Sequence, residues 1–400
     1  MRCVSIVLSV GSASALLASA ARPPRTLTAP TTSAAATATR EAEKPVLTLY
    51  RDTNGWCPFC ERVWIALEKK GVVYDEKLVD LQNKPDWYKE LVPTTLVPAI
   101  EWHTASYDGT PGSGDLVWES RDILEALDDK FAAAPLKASD PVAEVAEVLN
   151  ASFGFVYARN LTDDEVAAKR VTFETALDEL DAILASGGPF VRGAEMSAAD
   201  LELAPTLERF YYQLPVMKPD FPRLDARPGL RKWYAAMDAE PAYARRVKGD
   251  EYSWTAVTSS FLRIFGNATD GETAAKIEKA DGAAAALLKE SLADTASLND
   301  AAAVAEAAAA LEKNRAAVAR DASDQAPKTQ PHVARCQTLQ GADAAIDAAL
   351  ATLSGGSAAA LGGDARVAAA AIAARLCAPR DMGAPAARAL RHVLLTLAKK

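Results

Sequence analysis

The sequence predicts an α/β unit, then an all-helical unit, then an alanine-rich helical extension. Three observations carry this prediction. From Val46 to Phe131 short strand-like apolar runs alternate with helical stripes, and from Pro141 the pattern turns wholly helical. All 7 Trp, 10 Tyr and 10 Phe fall between Tyr50 and Phe265, which puts the large core-forming side chains in the middle of the chain. Beyond Gly266 there is no aromatic residue and alanine dominates. The 400 residues exceed one typical domain, and the divisions read as 1–40, 41–132, 140–265 and 270–400.

Residues 1–40 read as a targeting leader. Arg2 precedes a moderately apolar run from Cys3 to Ala20, and a Ser/Thr/Ala/Pro-rich stretch with Arg22, Arg25 and Arg40 follows; no acidic residue appears before Glu41. The first piece is similar to a secretory signal and the second to a transit peptide, a pairing that points to a plastid, with secretion or a mitochondrion as alternatives.

Val46 to Tyr50 reads as a buried strand. Cys60 to Lys70 reads as a helix with Phe59, Val63 and Leu67 on one face, and Gly71 ends it. Val72 to Leu81 gives a second strand, Pro85 to Leu91 a short helix, Leu96 to Trp102 a third strand and Leu116 to Trp118 a fourth. Ser120 to Phe131 is a helix capped near Glu119-Ser120. That order is the thioredoxin-like plan.

In the helical half, Val142, Val145, Leu149, Phe153 and Val156 form one stripe, and Phe173, Leu177, Leu180 and Leu184 the next. Ser197 and Asp200 have the spacing of a reciprocal N-cap, which assigns them a structural task. Further helices are expected around Thr206 to Gln213 and Gly229 to Ala239, and Tyr252 to Phe265 closes the region. In the extension, Asp321 to Pro331 and Ser354 to Gly363 read as linkers between helices. The whole reads as an accessory bundle, docked on the core or offered to a protein partner. Asn-x-Ser/Thr triplets at Asn150, Asn160 and Asn267 are chance occurrences, since two fall in or beside helices.

The net charge of -9 argues against a nucleic-acid binder, which needs clustered Lys and Arg. No apolar stretch in the folded region is long enough for a membrane span.

The chemistry concentrates in Trp56-Cys57-Pro58-Phe59-Cys60, between the first strand and first helix. Thiols react as thiolates. Pro58 suits the first helical position, which makes Cys57 the N-cap, with free N–H groups and the positive helix end directed at its sulfur. Cys60 lies one turn on, more shielded, so Cys57 is the attacking thiol and Cys60 a candidate resolving thiol. Metal binding is not expected: Cys3, Cys336 and Cys377 occupy unrelated segments and no His lies near. Cys336 and Cys377 read as small core residues. Val97-Pro98 and the helix start at Glu119-Ser120 complete the candidate site; a helix N-terminus with an adjacent acid can receive a carboxylate beside an ammonium group.

These runs together resemble glutathione S-transferases of the cysteine type, the lambda and omega classes. The resemblance covers Pro45 to Phe265 and is densest at Cys57-Pro-Phe, Arg62-Val63-Trp64-Ile65, Asp80 to Lys89, Val97-Pro98 and Glu119-Ser120. It implies a thioredoxin-like half that binds glutathione and a helical half that shapes the second-substrate pocket. It further implies that Cys57 forms a mixed disulfide with glutathione while Phe59 packs on the tripeptide. Lys84 would meet the glycine carboxylate, Val97 before Pro98 would pair with the cysteinyl backbone, and Glu119 and Ser120 would hold the γ-glutamyl end. The lambda pattern has alanine where this chain has Cys60, and the extension lies outside the family pattern. The implied activity is glutathione-dependent thiol transfer or reduction on a small-molecule or protein substrate. The alternatives are conjugation of glutathione to electrophiles and a non-catalytic scaffold.

Overall fold

The computed structural model describes residues 44–157, 161–266, 270–326, 330 and 332–399. The leader, Asn160 and Asn267 lie outside the described residues, as does the side chain of Phe265. The apolar run after Pro45 becomes strand β1 (Leu47–Asp52), buried along its whole length. It lies inside a four-stranded sheet of order β2-β1-β3-β4, with β2 Tyr74–Val79, β3 Ala99–Trp102 and β4 Asp115–Trp118. β2 runs parallel to β1, whereas β3 and β4 are antiparallel to their neighbours. Being central, β1 buries polar side chains too, and each finds partners. The Tyr50 hydroxyl donates to Glu101 at 2.5 Å and Arg51 makes two bonds to Glu76.

Both β2 and β3 are shorter than the sequence suggests. β3 starts at Ala99 instead of Leu96 because Pro98 has no N–H to give the ladder. Helices α1 (Pro58–Lys69), α2 (Asp86–Leu91) and α3 (Ser120–Lys130) complete this unit. On α1, Val63 and Leu67 are buried as their spacing predicts, together with Trp64 and Ile65, whereas Phe59, expected on the same face, is exposed.

The helical half comprises α4 (Ala143–Val156), α5 (Asp163–Gly187), α6 (Ala198–Met217), α7 (Pro228–Ala239), a short α8 (Pro241–Ala244) and α9 (Glu251–Phe265). Thr162 and Glu165 form a reciprocal cap at the start of α5. A single helix, α6, replaces the two pieces expected from Ser197 and around Thr206. It runs through Pro205, because burial of most of its residues outweighs the hydrogen bond an interior proline removes. Asp200 is fully buried at its start. Its Oδ2 accepts from the Ser197 N–H and hydroxyl, and its Oδ1 from Val191 N–H and the Trp233 indole. α6 packs on α1, so one continuous apolar core joins the sheet side, through Trp64 and Leu67, to Phe173, Leu207 and Phe210.

The extension forms α10 (Gly271–Glu290), α11 (Ala301–Lys313), α12 (Arg315–Ser323), α13 (Leu339–Leu353), α14 (Gly363–Arg375) and α15 (Ala384–Lys399). α12 reaches Ser323, so the first expected linker begins later than Asp321; the second is non-helical as expected up to Gly362, Gly363 opening α14, and Pro331 lies outside the described residues. A second core of mainly Ala and Leu holds these helices together and includes buried Cys336. The extension docks on the helical half. Tyr252 donates to the Ala374 carbonyl at 2.6 Å, Arg246 to the Pro379 carbonyl at 2.7 Å, and Arg391 to Asp250 at 2.8 Å. Gly383 is required at this seam, since a Cβ there would stand 1.8 Å from the Arg245 carbonyl oxygen. Among the described residues no helix is long and apolar enough to cross a membrane.

Candidate active site at the start of α1

β1 ends at Asp52, the chain turns through Gly55 at φ +66°, and Cys57 follows as N-cap of α1 with extended backbone. Pro58 occupies the first turn, and the Glu61 N–H bonds the Cys57 carbonyl. The turn is held from two sides. Asp52 Oδ2 accepts the Trp56 N–H at 2.8 Å, and the Arg209 guanidinium, from α6, donates to the Trp56 carbonyl.

The two thiols are not equivalent. Cys57 is half-buried and Cys60 buried. The Cys60 S–H donating to the Cys57 sulfur, helped by the Cys60 and Phe59 backbone N–H groups, holds the Cys57 pKa below the ordinary thiol value despite burial. Burial first, then the hydrogen bond to Cys57 and its charge, pushes Cys60 well up. Of the two, Cys57 is therefore the more readily ionised and Cys60 the one that holds its proton more firmly. Cys336 and Cys377 are buried thiols, the latter pushed up to about 11 by desolvation, and neither is placed to react.

The other expected residues gather around Cys57 to different degrees. The Val97 carbonyl faces the Cys57 sulfur at 3.9 Å across the cis Val97-Pro98 bond. Phe59 is 38% exposed, with Arg62 stacked over its ring at 4.9 Å, which leaves an apolar face open beside the thiol. Lys84 Nζ donates to the Thr95 carbonyl at 2.8 Å, so it stands beside the Val97-Pro98 loop and already has one partner. Ser120 is buried at the start of α3, and Glu119 is exposed with φ +66°, a conformation costing about 1–3 kcal/mol outside glycine. Strain at a helix start of this kind is common where a ligand is gripped.

Asp52 and Arg209 escaped the sequence reading. Asp52 lies two residues past the expected strand end and Arg209 far along the chain on α6; the available signal was a carboxylate five positions before a reactive cysteine. Asp52 is 2% exposed, and its Oδ1 is buried without a hydrogen-bond partner. Beneath it sits a further acidic pair. Burial, then the Glu208 carboxylate, drives the Glu61 carboxyl well above its usual range, while Glu208 accepts from Gly249 N–H and the Trp254 indole.

The Asp52 carboxylate and the two sulfurs lie within 4.8 Å of one another. Among the described residues they are the one such group of metal-type donors, and they lack the fourth protein ligand of a closed zinc site. Next to the turn, a cavity of about 390 Å³ is lined by Asn54 and Trp56, by Tyr252 and Val257 of α9, and by Arg375 and Arg380 of the extension. The extension therefore contributes a wall beside the residue preceding Cys57.

Two family profiles match the chain: Glutathione S-transferase, N-terminal domain, over residues 56–130, and Glutathione S-transferase, C-terminal domain, over residues 163–236. The chain is similar to the probable glutathione S-transferase DHAR1, cytosolic, of Oryza sativa subsp. japonica, at 35% identity over 157 residues, which is 39% of this chain and 68% of the relative. It is similar to glutathione S-transferase DHAR3, chloroplastic, of Arabidopsis thaliana, 35% identical over 38% of this chain and 54% of the relative. Glutathione S-transferase L1 of the same plant is 31% identical over 49% of this chain and 80% of the relative. The match thus spans about half the length of DHAR3 and more of the other two. Among solved structures, dehydroascorbate reductase of Chlamydomonas reinhardtii aligns with a TM-score of 0.42 and 26% identity, covering 50% of this chain and 90% of that one. With a thioredoxin-like unit followed by an all-helical one, and with relatives matched over two thirds or more of their length, the chain belongs to the glutathione S-transferase family.

Proposed function

We propose that the chain is a glutathione-dependent thiol transferase or reductase of the cysteine type, working through a Cys57–glutathione mixed disulfide. The observation that carries this reading is a thiol at a helix N-cap whose pKa is lowered by the Cys60 S–H and adjacent backbone N–H groups. A low-pKa cysteine captures glutathione covalently, whereas conjugation needs the cosubstrate thiol left free to attack.

In the proposed cycle the Cys57 thiolate attacks the glutathionyl sulfur of a mixed disulfide. The bond to the acceptor breaks, the acceptor leaves as a thiolate that takes a proton, and glutathione stays on Cys57. A second glutathione thiolate attacks that glutathionyl sulfur, releasing oxidised glutathione and restoring the Cys57 thiolate. In this reading Phe59 packs on the tripeptide and Val97 presents backbone before Pro98. Lys84 meets the glycine carboxylate, and Glu119 and Ser120 take the γ-glutamyl end. The cavity beside Trp56 offers an acceptor apolar surface from Trp56 and Val257 and cations from Arg375 and Arg380.

The test is turnover of a glutathionyl mixed disulfide together with intact mass after oxidised glutathione. Cys57→Ser should abolish turnover and the glutathionyl adduct, whereas Cys60→Ser keeps much of the activity. Turnover that survives loss of Cys57 would reject the assignment.

A further inference from the structure

The family profiles end at residue 236, so the extension lies outside them, yet it reaches the turn that bears Cys57. The cavity of about 390 Å³ beside that turn is walled by both parts of the chain: Asn54 and Trp56 of the turn, Val257 of α9, and Arg375, Leu376 and Arg380 of the extension. A volume of that order suits a small organic ligand.

The two arginines differ in what they have left to offer. Arg375 is engaged, with Nε and Nη2 on Asp321 at 2.9 and 2.8 Å and Nη1 on Gln330. Arg380 is fixed along one edge. Its Nε and Nη2 bond Asp381 at 2.7 and 2.8 Å and Nη2 also reaches the Arg375 carbonyl, while Asp381 is itself held by the Cys377 N–H. Nη1 of Arg380 has no hydrogen bond among the described residues. Asp321 and Asp381 do not line the cavity, so the extension turns guanidinium groups, and not their carboxylate partners, towards it. Among the described lining residues the one carboxylate is Asp80, which belongs to the thioredoxin-like half and is exposed to solvent. A third guanidinium, Arg335, stands within charge range of Arg375 and Asp321 and is buried with no acceptor for any of its three nitrogens. The acids gathered here therefore leave donors unsatisfied, which is costly.

We propose that this cavity is the acceptor site, and that the extension makes the chain selective for acceptors carrying a carboxylate on a short apolar body, with Arg380 Nη1 meeting the carboxylate. The inference rests on the proposed Cys57 chemistry. With glutathione on the Val97 side of Cys57, the Trp56 side is left for the other half of a mixed disulfide. There Trp56, Val257 and Leu376 cover the apolar body. A guanidinium already fixed by Asp381 gives the carboxylate a charge-assisted hydrogen bond with little further loss of side-chain freedom.

Glutathione mixed disulfides with mercaptopropionate and with mercaptoethanol test this, because they share the glutathionyl half and differ in the charge of the other. The full-length wild type should show a KM about tenfold lower for the propionate disulfide than for the hydroxyethyl one. Arg380→Gln should bring that ratio close to one, and Arg380→Lys should keep part of it. Equal KM values in wild type, or a ratio that Arg380→Gln leaves intact, overturn the inference. No turnover of either disulfide overturns the transferase reading and this inference with it. Should Arg380→Gln not fold, binding to the glutathionylated wild type decides, since its glutathione site is filled. Benzoate should quench tryptophan fluorescence at a concentration at least about tenfold below that of benzyl alcohol, and equal affinities refute the site.

Discussion

Arg391→Met is the sharpest probe of how the extension is attached. The Arg391 side chain is 1% exposed; it donates from Nη1 to Asp250 at 2.8 Å and from Nη2 to the Leu376 carbonyl at 3.3 Å, and it lies 4.3 Å over the Tyr252 ring. Asp250 is the N-cap of α9, where its other oxygen accepts the Ser253 N–H. Removing the guanidinium leaves a buried carboxylate facing apolar surface, a change that costs about 3–5 kcal/mol. For a protein of this size that is a fall in Tm of about 4–7 °C. The sign with pH follows from Asp250. Burial raises its pKa, but Arg391 and Ser253 outweigh burial and leave it below the ordinary value. The pair's contribution is therefore complete above the unfolded carboxylate pKa of about 3.9 and disappears as pH falls through the lower folded value. Urea unfolding of the single variants Arg391→Met and Asp250→Asn and of their combination gives the coupling directly. We expect the double variant to lose clearly less than the sum of the singles, with a gap of about 1–3 kcal/mol at neutral pH that narrows in acid. Additive losses, or an Arg391→Met cost under about 1 kcal/mol, would refute the reasoning.

Asp200→Ala should cost at least about 3 kcal/mol, because the Val191 and Ser197 N–H groups and the Trp233 indole would lose a buried acceptor together. Denaturation should register this while glutathionylation of the protein that remains folded is unchanged, and an equal loss of adduct formation per folded molecule would contradict the structural assignment. Cys60→Ala should raise the Cys57 pKa, since the largest influence lowering it is the Cys60 S–H. Rates of iodoacetamide alkylation against pH measure it, and a midpoint unaltered by Cys60→Ala would leave the backbone N–H groups as the operative cause.

The strand-to-helix junction was legible because its signals are local. A proline after Cys57 and a buried strand before it fix the N-cap whatever else the chain does, and Ser197 with Asp200 announced α6 in the same way. What could not be read were convergences between distant residues. Arg209 reaches the Trp56 carbonyl only because α6 packs across α1, and nothing in the local spacing of either segment encodes that crossing. The joining of the two expected pieces into one α6 was also not legible, since it depends on burial of the helix around Pro205 outweighing the local cost of an interior proline. The extension was readable as helices, while the choice between docking on the core and serving a protein partner stayed open. Its core rests on alanine, whose small area gives a weak signal of burial, while its attachment depends on single polar groups such as Arg391 and Tyr252.

One feature of that attachment reaches into synthesis. The cis Ala378-Pro379 loop seats against Gly55, where a Cβ would already touch the Arg380 backbone nitrogen at 3.4 Å, two residues ahead of the nucleophile. A ribosome delivers Cys57 early and this loop far later, so a growing polypeptide carries the turn without its backing through most of its elongation. A product released prematurely would display the cysteine with Gly55 uncovered.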